Sequence, residues 1–216
     1  VLFRSYRTTG TFIKERSSAF VAPDDMRTRD IFIPKGCAGN AKNGQKVVIE
    51  LTKRQTGDRS AEAKVVEVLG DEGAPGVDIL TIARRFGMNK KFPKAVEAQL
   101  EKTDLSISQE ELADREDLTN EIIFTIDGAD SKDLDDAVSV KRVGSGWQLG
   151  VHIADVSHYV RPRTPLDKEA YKRGTSVYLV DQVIPMLPEE LSNGICSLNP
   201  EEVRLTLSCF MDIDET

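Results

Sequence analysis

The sequence has little cysteine: three residues, Cys37, Cys196 and Cys209, in a chain of 216. The number is odd and no two stand in a CxxC spacing, which argues against a disulfide scaffold and against a structural zinc site. Reduced thiols in a cytoplasmic protein are the plain reading. Long apolar runs are also missing. None approaches the roughly 20 residues of a membrane-spanning helix, so no membrane partner is expected. There is no N-terminal methionine and no charged-then-apolar leader, and Val1-Leu-Phe-Arg-Ser5 reads as the edge of something longer. Met211-Asp-Ile-Asp-Glu-Thr216 follows directly on a strand pattern and reads the same way. Internal repeats and low-complexity tracts are absent. What is present, 39% hydrophobic and 30% charged residues, is the composition of a folded protein of one large or two small domains.

The net charge of −7 weighs on its face against a nucleic-acid partner, but it is an average of two unlike parts. Residues 1–70 sum to +5 and the remaining residues to −12. Residues 6–69 read as all-β. Short runs at Gly10–Ile13, Ala19–Ala22, Asp30–Pro34, Val47–Leu51 and Ala63–Val68 are separated by turn-rich segments, the pattern of a small five-stranded barrel or sandwich. Residues 70–120 read as a helical connector. Ile79, Ile82, Ala83 and Phe86 fall at i, i+3, i+4, i+7, Pro93 opens a second helix, and Ser108-Gln-Glu-Glu111 fits a capping box. Residues 121–216 read as mixed α/β. An apolar strand is expected over Glu121–Ile126. A hairpin follows, with strands Ala137–Val143 and Trp147–Val156 about Gly144-Ser-Gly146. A helix over Pro165–Arg173 stops at Gly174, Ser176–Val180 is β-like, and Val203–Phe210 alternates with Leu205, Leu207 and Cys209 on one face. The fold class is therefore α+β.

The sharpest feature is Asp127-Gly-Ala-Asp-Ser-Lys-Asp133-Leu-Asp135-Asp136-Ala137, five carboxylates within ten residues between two apolar strands. Like charges held that close repel unless something offsets them. Three readings are open. A solvated acidic loop is the plainest. A calcium loop of the EF-hand type fits poorly, because Ala129 and Lys132 stand where that pattern needs Asp or Asn and Gly. A Mg²⁺ site for phosphoryl-transfer chemistry suits a cluster of hard oxygen donors.

This segment resembles the acidic signature of the ribonuclease II/ribonuclease R family, the RNB exoribonucleases. The resemblance runs on through Gly150–Val160, Pro165–Glu169, Arg173–Leu179, Ile184–Pro188, Leu191–Pro200 and Arg204–Ser208, covering nearly all of 120–216 in order, and it is most like the bacterial ribonuclease R branch. It implies the N-terminal portion of an RNB catalytic domain, in a processive 3′→5′ exoribonuclease that uses Mg²⁺ and releases nucleoside 5′-monophosphates from single-stranded RNA as a cytoplasmic monomer. Asp127, Asp133, Asp135 and Asp136 match the catalytic aspartates. Asp127, Asp133 and Asp136 are the implied metal ligands, Asp135 would orient the attacking water or a second metal, and Asp130 would stand behind them. Tyr178 matches the family tyrosine that packs against terminal bases, although its strand context alone reads as half-buried. Arg204 matches a family arginine, with phosphate contact and a structural ion pair both open. The family's catalytic domain is longer and also uses an Arg, a Glu and an aromatic beyond residue 216. The chain alone is thus expected to be inactive, and an RNA-binding barrel with a catalytic remnant is the alternative.

The N-terminal stretch resembles a cold-shock (OB-fold) domain. Phe12, Phe20 and Phe32 fall where such domains carry aromatics, and Arg16, Arg27, Arg29, Lys35, Lys42 and Lys46 belong to the +5 region that could track a phosphate backbone. Arg16-Ser-Ser-Ala-Phe20 departs from the usual Lys-Gly-Phe-Gly-Phe, so core and stacking roles both stay open for these Phe residues. His152 and His158 read as satisfied structural residues rather than metal ligands, Trp147 as core, and Cys196 and Cys209 as small buried hydrophobes.

Overall fold

The structure, a computed structural model, describes residues 6–25, 27–56, 60–180 and 182–214. The readings placed on residues 1–5 and 215–216 lie outside these. The chain divides into two compact units, residues 1–90 with 178–184, and residues 91–177 with 185–216.

In the first unit β1 (Arg7–Lys14), β2 (Ala19–Pro23), β3 (Ile31–Phe32), β4 (Gln45–Lys53) and β5 (Glu62–Asp71) close a barrel in the order β1-β2-β3-β5-β4. Pairing is antiparallel except between β3 and β5. Strand alternation decides what goes inside. Phe12 lies opposite Val21 and both are buried, whereas Ile13 and Phe20 form the adjacent pair on the outer face. The interior is completed by Ile31, Ile33, Val47, Ile49 and Ala63. The half-buried Lys46 ties the start of β4 to Asp24 (2.7 Å) and Glu72 (3.1 Å).

Helix α1 (Val77–Arg85) packs on β1, β4 and β5. Its buried side is Val77, Thr81 and Ala83, while Ile82 and Phe86 of the expected stripe are exposed. The Arg84 guanidinium donates to both Glu67 oxygens on β5 (2.8 and 3.0 Å), a further tie between helix and strand. Thr81 loses nothing by burial, since its hydroxyl donates to the Val77 carbonyl at 2.6 Å.

The second unit contains α2 (Lys94–Leu100), α3 (Gln109–Ala113), β6 (Ile123–Phe124), β7 (Asp136–Val143), β8 (Gly146–Ala154), α4 (Val156–Tyr159) and α5 (Pro165–Arg173). Two short strands, β9 (Val177–Tyr178) and β10 (Val183–Ile184), pair with each other, residues 178–184 being counted with the first unit. A wide helical turn (Glu190–Ile195) and β11 (Thr206–Ile213) follow. The capping box of α3 forms as the sequence expects: Ser108 Oγ accepts the Glu111 N–H and Glu111 accepts the Ser108 N–H. Helix α5 stops at Gly174, whose φ of 75° favours a residue without Cβ. The antiparallel sheet runs β11-β8-β7-β6. Beside it Val96, Ala154, Tyr159, Leu166, Leu191, Cys196 and Leu205 form one core.

Several apolar residues expected inside lie outside. Only Ile123 and Phe124 of the expected strand 121–126 pair, at a sheet edge, and Ile122 and Ile126 are each 82% exposed. Strand β11 begins later than the alternation suggests. Leu205 is buried just ahead of it, whereas Leu207 and Cys209 stand on an open face. That face presents Val140, Trp147, Ile153, Leu207, Met211 and Ile213, cross-strand neighbours in register. Trp147 is therefore not core; the Arg142 guanidinium lies over its ring at 5.0 Å.

Candidate functional site

The acidic segment leads from β6 to β7. Its first half is an exposed turn closed by the Ser131 N–H, which donates to the Gly128 carbonyl at 3.0 Å. Its second half is fastened from two sides. The hydroxyl of Ser197 accepts the Leu134 N–H at 3.1 Å and donates to the Lys132 carbonyl at 2.9 Å. The Leu198 N–H reaches the Leu134 carbonyl at 2.9 Å, and the Ala154 N–H at the end of β8 reaches the Asp135 carbonyl at 3.0 Å. Asp136 then opens β7 opposite Ile153. These bonds fix the backbone from Lys132 to Asp135 in spite of the charge repulsion along the segment.

The cost is visible at Asp135. Burial, followed by the charges of Asp133, Asp136 and Asp127, pushes its pKa above the ordinary carboxylate value. The other three motif aspartates thus lie within electrostatic reach of Asp135. They are not drawn into a closed ligand set: among the described residues no three His, Cys, Asp or Glu side chains converge as a metal-holding group. The donor chemistry suits Mg²⁺, since the set is all carboxylate and its mutual repulsion is what a hard cation relieves. Nearby, the buried Cys196 thiol is pushed up to about 11 by burial and then by the charges of Asp135 and Asp155. That makes it an inert apolar filler rather than a nucleophile.

A second tier of buried polar groups stands behind the loop. Arg204 donates through Nε to the Ser197 carbonyl at 2.9 Å and pairs with Glu202, so its guanidinium is engaged structurally. Asp155 is 6% exposed and pairs with Arg115 Nη2 at 2.7 Å, with the Ser157 hydroxyl at 2.8 Å as a further donor. Burial alone would raise the Asp155 pKa, but the hydrogen bonds from Arg115 and Ser157 outweigh it and the net shift is downward. His158 Nε2 sits 2.6 Å from Glu111 Oε1, fastening α4 to α3. Both histidines take structural partners: buried His152 spans Ser139 Oγ (3.0 Å) and Ser208 Oγ (2.8 Å), and burial lowers its pKa. Gly150 must lack a side chain here, because a Cβ would come within 2.4 Å of Ser139 Oγ.

The barrel carries its own candidate residues. Phe12 is 1% exposed, a core residue, which removes it from the stacking set. Phe20 and Phe32 lie on the outer face, half-buried, with ring centroids 5.6 Å apart. Arg16 and Lys42 are exposed. Lys46 and Arg27 are engaged with carboxylates. An open groove of about 330 Å³ lined by Tyr6, Arg29, Arg54 and Gln55 lies on the same unit. Tyr6, which the sequence pattern does not distinguish, is 59% exposed there. Tyr178 is 65% exposed on β9.

Residues 115–216 match the RNB domain and residues 20–93 the Cold shock domain. Ribonuclease R of Vibrio cholerae is 46% identical over 215 residues, covering 99% of this chain and 26% of that protein, so the chain spans about a quarter of the length of such relatives. The structure of Mycoplasma genitalium RNase R in complex with double-stranded RNA superposes with a TM-score of 0.88 at 30% identity, covering 99% of this chain and 39% of that one. The same enzyme in complex with ribose methylated single-stranded RNA gives 0.87 at 31% identity, covering 98% and 34%. With the acidic signature in place on an RNB sheet and a cold-shock barrel ahead of it, the chain belongs to the ribonuclease II/ribonuclease R family.

Proposed function

We propose that this chain supplies the metal-holding carboxylates and an RNA clamp of a Mg²⁺-dependent, processive 3′→5′ exoribonuclease. That enzyme degrades single-stranded RNA to nucleoside 5′-monophosphates, as a monomer in the cytoplasm. The observation that carries the reading is the acidic loop itself, pinned at Ser197 and Ala154, where burial and then the charges of Asp133, Asp136 and Asp127 raise the Asp135 pKa. Asp127, Asp133 and Asp136 would hold the cation, which when bound lowers the pKa of water and offsets charge on the leaving oxygen. Asp135 would orient the attacking water or a second metal. Phe20 and Phe32 would give bases a sequence-tolerant stacking surface, with Arg16 and Lys42 following the phosphates. Tyr178 would pack on the terminal bases.

The test incubates the 216-residue chain with labelled single-stranded RNA and Mg²⁺ and measures Mn²⁺ binding in parallel. Release of mononucleotides that Asp135→Asn abolishes makes the chain active by itself. RNA and Mn²⁺ binding without product fits a chain that contributes the site to a longer enzyme. RNA binding without metal binding leaves only an RNA-binding module and refutes the proposal.

A further inference from the structure

We infer that Ser197 is the positioning residue of the acidic loop, its hydroxyl fixing the backbone on both sides of Asp133 and so setting the spacing of the carboxylates. The inference rests on the proposed metal-holding role of that loop. Ser197 is completely buried, 63 residues away in sequence from Leu134, and its side chain spends its bonding capacity on the loop. It accepts from the peptide N–H after Asp133 and donates to the peptide carbonyl before it, with Asn199 Oδ1 at 3.2 Å as the alternative acceptor. Two peptide planes held by one oxygen leave the intervening residue little torsional freedom. The serine is itself anchored, since Arg204 Nε donates to its carbonyl at 2.9 Å, and the Leu198 N–H adds a third tie at the Leu134 carbonyl. Arg204 thereby gains a role distinct from phosphate contact: it braces the residue that braces the loop. Four like-charged carboxylates would relax apart if the loop were free, so the hydroxyl acts against that repulsion. Groups that orient ligands without touching the cation commonly change metal affinity 10–100-fold when removed.

The experiment measures Mn²⁺ affinity of the 216-residue chain by the paramagnetic resonance signal of free Mn²⁺, with Ser197→Ala, Ser197→Thr and Asp135→Asn beside the wild type. Amide exchange at Leu134 and the unfolding midpoint are followed in the same samples without metal. The expected result is about a tenfold loss of Mn²⁺ affinity in Ser197→Ala, faster Leu134 exchange, and recovery of both in Ser197→Thr. Should Ser197→Ala lower the midpoint, affinities are compared well below it, and the Thr variant must still restore binding. Equal affinity of wild type and Ser197→Ala, or a Thr variant as weak as Ala, overturns the inference. A wild type whose Mn²⁺ binding is absent, or unaffected by Asp135→Asn, overturns the functional reading instead.

Discussion

The Arg115–Asp155 pair offers the most direct measure of what holds the second unit around the acidic loop. Arg115→Ala removes the nearer of the two strong donors to a carboxylate that is 6% exposed, and also the contact of Arg115 Nη1 with the Thr206 carbonyl at 3.4 Å. What remains to Asp155 is the Ser157 hydroxyl and the His158 N–H. Breaking a fully buried pair from one side costs about 3–5 kcal/mol. The Arg115 side chain is 28% exposed, so water can approach the vacated side, and about 2 kcal/mol is the expected loss. Trp147, the single tryptophan, lies on β8 of this unit, so its fluorescence in a urea titration reports on the second unit alone. The sign of the pH dependence is fixed by the downward shift at Asp155. Its stabilisation is present above the unfolded-state pKa of about 4 and lost as pH falls through the folded value, so wild type and Arg115→Ala should converge in acid. The double variant with Asp155→Asn should recover about 1 kcal/mol or more of the combined single losses. A loss below about 0.5 kcal/mol at pH 7, or strictly additive single losses, would refute the reasoning.

Other outcomes follow from the same geometry. Phe12→Ala should cost the barrel about 3–4 kcal/mol, whereas Phe20→Ala and Phe32→Ala should mainly weaken RNA binding; denaturation and filter binding separate the two. Backbone and His158 hydrogen bonds hold Glu111 down to about 2, so its contribution is present above its unfolded pKa and lost as pH falls through about 2. Glu111→Gln should therefore flatten the acid transition followed by Trp147 fluorescence. RNA affinity should fall steeply with salt, and Arg16→Ala and Lys42→Ala should each reduce the logarithmic slope by about 1.

How far the sequence could be read depended on the range of the interaction concerned. The capping box at Ser108 and Glu111, the stop at Gly174 and the hairpin at Gly144 are local, and each formed where the residues stand. The acidic segment was equally visible, since five carboxylates in ten residues need no tertiary information to be noticed. Alternation could place Leu207 and Cys209 on one face, but not say whether anything covers that face; they and Trp147 proved exposed for that reason. The spacing on α1 gave the helix but not its buried side, since Val77, Thr81 and Ala83 rather than Ile82 and Phe86 face the strands. The role of Ser197 is not legible in the sequence, since a buried hydroxyl bridging two distant peptides has no periodicity to betray it.

The open face of the β7–β8–β11 sheet has a thermodynamic consequence. Val140, Trp147, Ile153, Leu207, Met211 and Ile213 together leave roughly 500 Å² of apolar surface hydrated in the folded state. Surface already wet before unfolding adds nothing to the heat-capacity change, at about 0.45 cal/K/mol per Å². The second unit should fall short by roughly 0.2 kcal/mol/K of the ~1.5 kcal/mol/K usual for a unit of about 120 residues. Its stability curve should be correspondingly flatter with temperature, and its urea m-value lower than its length suggests.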